Sequence, residues 1–255
     1  MELKKLYDFE GKTALITGSS GGLGEQFARS LSSAGVRVLL AARRLDKLKA
    51  LSSELINAKA IEMDISNKDS VASAFIDLEQ DGEKIDICIN NAGIGGLTPI
   101  FDEDSENDTN FETIIQTNLV GVWYVTKAVA NHMKNNGIRG SIINIGSVNG
   151  DTFPYEQLSG YAISKAGVTH MVKSLTVELA KYKIRINAIN LGPIQSHLLG
   201  SSFKHDWNFW KNKIPIGFIA EPSDLDGLIL YLSSNEASKY VHGACFTIDG
   251  GMSWC

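Results

Sequence analysis

Short runs of apolar and β-branched residues recur along the chain and alternate with longer segments of helical spacing. Several of the short runs are apolar at consecutive positions, which is typical of strands that helices cover on both faces. The pattern predicts seven strands, at TALIT (13–17), RVLLAA (37–42), AKAIEM (58–63), IDICIN (85–90), SIINIG (141–146), IRINAIN (184–190) and ACFTID (244–249). We therefore expect a parallel sheet of seven strands.

The segment between the first two predicted strands has the spacing of an amphipathic helix. Leu23, Phe27, Leu31 and Ala34 are spaced four, four and three apart. This spacing forms one apolar helical stripe, and Gly35 is suited to end the helix. Because no linker, charge block or repeat interrupts the alternation, residues 1–255 are predicted to form a single doubly wound α/β domain.

The composition excludes several classes of protein. The 255 residues are 44% hydrophobic and 21% charged, as in soluble globular proteins, and the net charge of −5 does not favour nucleic acid as a partner. Three cysteines without a CxxC pair indicate neither a disulfide framework nor a metal site. No apolar run has the length of a signal peptide or a membrane span, so we expect a cytoplasmic protein with no membrane partner.

A glycine-rich turn, TGSSGGLG (17–24), follows the first predicted strand and opens the helix described above. Gly18, Gly22 and Gly24 allow the backbone to approach a pyrophosphate closely, and the helix amino terminus offers unpaired N–H groups. The alternative is a tight turn that binds nothing. The turn also matches the GxSxG of serine hydrolases through Ser20, but none of the five histidines lies in a recognisable setting for that chemistry.

The residue after the second strand bears on the choice of dinucleotide. Folds that bind NAD usually place an acidic residue near this point, whereas an arginine accommodates the 2′-phosphate of NADP. Arg43 therefore predicts NADP(H) rather than NAD(H). The neighbouring Arg44 and Lys47 are interpreted equally well as solvated residues at the start of a helix.

A tyrosine and a lysine four residues apart, Tyr161 and Lys165, lie near the start of a predicted helix that extends to about Tyr182. This spacing puts both side chains on one helix face, where an ammonium can assist a phenol whose ordinary pKa of about 10 is too high for proton transfer near neutral pH. Ser147 follows the fifth strand, at the edge of the sheet where open α/β folds bind ligands.

Together, the TGxxxGxG turn, Asn90-Asn91-Ala92-Gly93 and Ser147 with YxxxK resemble the short-chain dehydrogenase/reductase family over nearly the whole chain. The resemblance implies a Rossmann fold and four catalytic residues. Tyr161 would be the general acid/base, Ser147 would hold the substrate oxygen, Lys165 would bind the nicotinamide ribose and depress the Tyr161 pKa, and Asn118 would support a proton relay.

The resemblance also implies the cofactor-binding set, in which Asp64 contacts the adenine. That set is Gly18, Ser20, Gly22, Leu23, Gly24, Arg43, Asp64, Ile65, Asn91, Ala92, Gly93, Tyr161, Lys165 and Ile194. One departure is that the family's Pro-Gly after the sixth strand is Leu191-Gly192 here, followed by Pro193.

The function implied is an NADP(H)-dependent oxidoreductase that interconverts a carbonyl and a secondary alcohol. The chain looks most like the 3-oxoacyl-carrier-protein reductase branch, and an alternative is a noncatalytic nucleotide sensor of the same fold. A segment rich in aromatic residues, 196–219, is expected to form a substrate lid, and it favours apolar or acyl ketones over sugars. A homotetramer is implied by the resemblance alone.

Overall fold

The computed structural model describes residues 3–101, 110–196 and 207–254. Seven strands form one sheet in the order β3-β2-β1-β4-β5-β6-β7, and every neighbouring pair is parallel. The prediction of a seven-stranded parallel sheet is confirmed, and each strand lies within two residues of its predicted bounds. The strands are β1 Thr13–Thr17, β2 Arg37–Ala42, β3 Ala58–Glu62, β4 Ile87–Asn90, β5 Ser141–Ser147, β6 Arg185–Leu191 and β7 Cys245–Ile248.

Helices connect the strands and cover both faces of the sheet. They are α1 Leu3–Leu6, α2 Gly22–Ser33, α3 Leu45–Glu54, α4 Lys68–Gln80, α5 Phe111–Ile115, α6 Val122–Asn135, α7 Ser159–Ala180, α8 Trp207–Lys211 and α9 Asp226–Ser233. A π-helix, Gln116–Gly121, joins α5 to α6, and short 3₁₀ turns occupy Val148–Gly150, Pro222–Leu225 and Met252–Trp254.

Consecutive apolar residues in the strands serve two separate cores. Leu15 packs with residues of α4, α6 and α7 on one face of the sheet, whereas its neighbour Ile16 packs with α2, α3 and α9 on the other. Because side chains alternate across a strand, a strand buried on both sides must be apolar at adjacent positions. This is the physical basis of the unbroken apolar runs in the sequence.

The chain changes direction across the sheet between β1 and β4. β1 pairs with β2 on one side and with β4 on the other, so the connections leave in opposite directions from this point. Open α/β sheets form a crevice at the carboxyl ends of the strands at such a point. The glycine turn after β1 and the residues after β4 therefore meet at one edge of the sheet.

Candidate active site

The glycine turn is held close to the segment that follows β4. Gly18 has φ of +69°, and a Cβ at this position would lie 2.7 Å from the Cα of Ala92. A Cβ on Gly24 would collide with the carbonyl oxygen of Gly18. Glycine is thus required at both positions for the turn to close over the start of α2, whose N–H groups then face the cleft.

Asn91 ties this turn to the end of β4. Its amide Nδ2 donates to the carbonyl oxygens of Thr17 at 3.0 Å and Gly18 at 3.3 Å. The Oγ1 of Thr17 accepts hydrogen bonds from the backbone N–H groups of Asn91 and Ala92, both at 3.1 Å. These bonds fix the two loops relative to each other and give the cleft a preorganised floor.

We call the part of the cleft next to β2 and β3 its adenosine end, because the family resemblance predicts the adenosine there. Arg43, Arg44 and Lys47 follow β2 and line the cleft. Arg44 is not simply solvated, because its guanidinium donates to the hydroxyl of Ser20 at 2.8 Å. Arg43 is exposed and lines the same cleft. No local sequence pattern indicates this contact, because the contact depends on how the glycine turn folds back toward β2.

The serine-hydrolase alternative requires a histidine beside Ser20. None of the histidines in the described ranges, His132, His170 and His242, lines the cleft that contains Ser20. His132 instead accepts a hydrogen bond from the backbone of Ile85, and His242 bonds to the backbone of Ile186 and Thr176.

Asp64 and Ile65 follow β3 and line the adenosine end of the cleft. One carboxylate oxygen of Asp64 accepts from the backbone N–H and the hydroxyl of Ser66, at 3.0 and 2.7 Å. The helix that follows is capped by Asn67, whose side chain accepts from the backbone of Asp69 and Ser70. Asp64 thus shapes the turn and is not the helix cap, and its second carboxylate oxygen accepts no hydrogen bond within the described ranges.

Ser147, Tyr161 and Lys165 meet at the carboxyl end of β5. Ser147 ends that strand, and Tyr161 and Lys165 occupy successive turns of α7. The Lys165 Nζ lies 5.7 Å from the centre of the Tyr161 ring and donates to the carbonyl oxygen of Ile145 at 2.8 Å. All three residues line the cleft, as the sequence predicted for a catalytic group.

Burial affects the two titratable groups in opposite directions. It lowers the pKa of Lys165 to about 8, because the ammonium is almost fully removed from water. It raises the pKa of Tyr161 above its ordinary value, and interaction with the Ser147 hydroxyl only partly opposes this rise. The depressed Tyr161 pKa implied by the family resemblance is therefore not seen in the protein alone, where desolvation of the phenolate dominates.

Asn118 lies in the π-helix, fully buried beside the cleft. Its Oδ1 accepts from the backbone N–H of Ile94 at 2.8 Å, and its Nδ2 donates to the Ile94 carbonyl at 2.8 Å and to the Ser164 hydroxyl at 3.2 Å. The side chain thus holds the loop after β4 against α7. The part of Asn118 in a proton relay stays a prediction.

One cleft of about 1490 Å³ runs from the glycine turn to the Ser147 group and beyond. Ile194, predicted to face the nicotinamide, lines it and forms an isolated bridge with Ala220. Beyond the predicted site residues, the walls of the cleft combine apolar and polar side chains. They include Phe153, Leu158, Trp210 and Met252 together with Asn149, Gln195 and Ser196. Asn149, Phe153 and Gln195 have no motif around them, so no local sequence pattern singles them out.

Part of the predicted lid lies outside the described residues, namely 197–206 with Leu198, Leu199 and Phe203. In the described part, Trp210 is buried and lines the cleft, and it packs on Phe209 and Tyr155 with ring centres 5.3 and 5.5 Å apart. Phe218 is about half exposed. The aromatic residues of this segment therefore have different positions: Trp210 lines the cleft, Phe209 packs on Trp210, and Phe218 lies at the surface.

Within residues 3–101, 110–196 and 207–254, every helix is too short or too polar to span a bilayer. No cluster of His, Cys, Asp or Glu side chains in those ranges could hold a metal ion.

Comparison with known families accounts for this arrangement. Residues 12–207 match the model of the short chain dehydrogenase family. The chain therefore belongs to the short-chain dehydrogenases, and it is an oxidoreductase that acts on an alcohol or ketone.

Two relatives show the range of substrates in related proteins. A D-arabinitol 2-dehydrogenase (ribulose-forming) of Scheffersomyces stipitis is 34% identical over 96% of this chain and 95% of its own length. A 3-oxoacyl-[acyl-carrier-protein] reductase of Aquifex aeolicus is 32% identical over 99% of this chain and 100% of its own.

Two crystal structures are similar throughout. A gluconate 5-dehydrogenase from Burkholderia cenocepacia, in complex with NADP and tartrate, superposes with a TM-score of 0.90 at 29% identity and covers 100% of both chains. A 3-ketoacyl-(acyl-carrier-protein) reductase from Brucella melitensis, complexed with NADH, has a TM-score of 0.87 at 33% identity over 96% of this chain and 100% of its own. The Rossmann fold is thereby confirmed.

Proposed function

We propose that the protein is an NADP(H)-dependent enzyme that interconverts a ketone and a secondary alcohol. The observation that carries the proposal is the meeting of Ser147, Tyr161 and Lys165 in the same cleft as the glycine turn. A noncatalytic nucleotide sensor would need only the turn, whereas this chain has also kept a hydroxyl, a phenol and an ammonium at the end of β5.

The side chains present in the cleft would transfer the proton of this reaction and bind the reacting oxygen. When bound, a nicotinamide cofactor supplies or accepts the hydride. Tyr161 would donate its phenolic proton to the carbonyl oxygen during reduction and recover it during oxidation. Ser147 would hold that oxygen by a hydrogen bond, and Lys165 would hold the ribose and place a positive charge near the phenolate.

The choice of NADP(H) is supported by the cations at the adenosine end of the cleft. Arg43, Arg44 and Lys47 line it, while the loop after β2 offers no acidic residue before Asp46. A 2′-phosphate would meet guanidinium groups there, with charge-assisted bonds of about 1.5–3 kcal/mol each.

For the substrate, two classes have support. A 3-oxoacyl or other hydrophobic ketone fits the apolar walls formed by Phe153, Leu158 and Trp210, and the Aquifex relative is named for such a reaction. A polyol or ketose fits the polar side chains of Asn149 and Gln195 in the same cleft, and the Scheffersomyces relative is named for that reaction.

The test is NADPH and NADH oxidation against acetoacetyl-CoA, a hydrophobic ketone and pentuloses, with Tyr161→Phe measured in parallel. We expect turnover with NADPH that depends on Tyr161. Binding of cofactor without reduction of any ketone, and without oxidation of the matching alcohols, would favour the sensor alternative.

We also propose that the chain forms one domain that assembles as a homotetramer. Support for assembly comes from large apolar side chains exposed on α6 and α7, namely Trp123, Ile163 and Val177. Isolated apolar residues are common on surfaces, but large ones on two adjacent long helices suit a subunit contact. Light scattering coupled to gel filtration gives the mass, and a monomer of 27.7 kDa would contradict the proposal.

A further inference from the structure

An unsatisfied amide lies next to Ser147. Asn149 occupies the 3₁₀ turn Val148–Gly150 directly after β5, and it lines the same cleft as Ser147 and Tyr161. Its Oδ1 is buried but has no hydrogen-bond partner, and no hydrogen bond of its Nδ2 is found within the described ranges. Buried polar atoms are bonded in the large majority of cases, so a free amide at this place requires an explanation.

The turn that carries this amide is firmly held. The backbone N–H of Asn149 donates to the Ser147 hydroxyl oxygen at 3.2 Å. A Cβ on Gly150 would lie 2.7 Å from the carbonyl carbon of Lys165, so the turn packs directly on the backbone of α7. Three backbone N–H groups, of residues 151–153, donate to the carbonyl of Val148 at 2.9–3.1 Å. The terminal torsion of an asparagine side chain is soft, and rotation about it exchanges the positions of the two amide atoms.

From this geometry we infer that Asn149 binds a hydroxyl group of the substrate next to the reacting carbon, which makes the preferred substrate a hydroxyketone or polyol. The inference rests on the proposed function and selects between its two substrate classes. A carboxamide offers one donor and one acceptor, and a hydroxyl group is both acceptor and donor. The hydrocarbon neighbour of a simple ketone can satisfy neither amide atom.

The distinction between substrates follows from desolvation. A hydroxylated ketone that enters the cleft gives up hydrogen bonds to water and regains them at the amide, whereas a deoxy ketone leaves Oδ1 unpaired and offers Nδ2 no acceptor. Sites built to bond a substrate hydroxyl reject the analogue that lacks it, for this reason. This reverses the preference that the aromatic lid segment alone predicted.

The test compares D-ribulose with 2-pentanone, which has the same chain length, in wild type, Asn149→Leu and Asn149→Ser. Leucine keeps approximate shape without polar atoms, and serine restores a donor and an acceptor. We expect kcat/KM of the wild type to favour ribulose, Asn149→Leu to lose roughly ten- to a hundredfold on ribulose but less than about threefold on 2-pentanone, and Asn149→Ser to recover part of the loss.

Equal losses on both ketones, or no loss on ribulose, would overturn the inference, because they would mean that Asn149 only supports the turn or a bound water. Thermal melting and NADPH titration verify that each variant folds and binds the dinucleotide.

Calorimetric titration of D-arabinitol and 2-pentanol into the NADP⁺-loaded protein decides the question independently of turnover. Arabinitol binding that Asn149→Leu abolishes supports the inference even if no ketone is reduced, an outcome that would refute the proposed function alone. Equal binding of arabinitol by wild type and Asn149→Leu, or arabinitol binding by neither, overturns the inference.

Discussion

The guanidinium of Arg44 donates a hydrogen bond of 2.8 Å to the hydroxyl of Ser20, across the adenosine end of the cleft. The loop after β2 is thereby tied to the glycine turn after β1. Arg44 is partly committed to this contact, whereas Arg43 has no hydrogen bond or ion pair within the described ranges and lines the same space. Under the NADP(H) proposal, Arg43 is therefore the guanidinium that would meet the 2′-phosphate.

Arg43→Ala should weaken NADPH about ten- to a hundredfold and change NADH little, because it removes one charge-assisted contact to a group that only NADPH has. Fluorescence titration of both dinucleotides measures this directly. Lys49→Ala is the matched control, since Lys49 is exposed on α3 and does not line the cleft. Equal weakening of the two dinucleotides, or a wild type that prefers NADH, would contradict the NADP(H) proposal.

Tyr161→Phe should reduce turnover by at least a factor of about 10² to 10⁴, which is the contribution expected of general acid catalysis. The ring remains, so NADPH affinity and melting temperature should change little. Steady-state kinetics with dinucleotide titration separate the two effects. Turnover near that of the wild type would remove Tyr161 from the catalytic group.

Lys165→Met should abolish most activity and yet stabilise the cofactor-free protein at pH 7, by about 1–3 kcal/mol. The buried ammonium has a pKa lowered to about 8, so folding penalises its charge, and methionine avoids that cost even though the bond to the Ile145 carbonyl is lost. Chemical denaturation of both proteins measures the difference.

The same pKa gives this prediction a pH dependence. Between pH 8 and 10.5 the unfolded chain keeps a proton on Lys165 that the folded protein has released. The unfolded state therefore binds more protons, and the stability of the wild type rises with pH across this window relative to Lys165→Met. The difference in free energy of unfolding between Lys165→Met and the wild type should be constant below pH 8 and should shrink above it. A gap that widens with pH would show that the ammonium is stabilising.

The buried His132 allows a second test of pH-dependent stability, this time at acidic pH. Its Nε2 accepts from the backbone N–H of Ile85 at 3.2 Å, and burial lowers its pKa although Glu79 opposes the shift. Below about pH 6.5 the unfolded chain takes up a proton that the folded protein resists, so stability falls as pH falls. His132→Phe should be less stable at pH 7.5 but lose less stability on acidification.

Melting temperatures from pH 7.5 to 5.5 check the His132 prediction, with His170→Gln, a substitution at an exposed histidine, as the control. If the melting temperatures of the wild type and His132→Phe fall equally as the pH is lowered, the acid sensitivity belongs to other groups.

The strands and helices were largely predictable because the burial of each element imposes a local pattern of apolar residues on the sequence. The consecutive apolar residues of β1 and the stripe of Leu23, Phe27 and Leu31 follow directly from burial on two faces or one. Ser147, Tyr161 and Lys165 were predictable through their motif. By contrast, the free amide of Asn149 and the bond from Arg44 to Ser20 arise from loops that are distant in sequence, and no periodicity reports such contacts.

The π-helix Gln116–Gly121 has a consequence for how this segment tolerates change. A π turn contains one residue more than an α turn, so each side chain after it is displaced by about 100° around the axis. With the extra residue, Asn118 points at the loop after β4 while Val125 and Val129 of α6 still enter the core. Deletion of a single residue here should therefore restore a regular α-helix and leave the two valines facing the sheet, because the lost residue and the lost displacement compensate each other. The wide turn thus confines a one-residue insertion to the segment that carries Asn118, and the register of α6 does not depend on it.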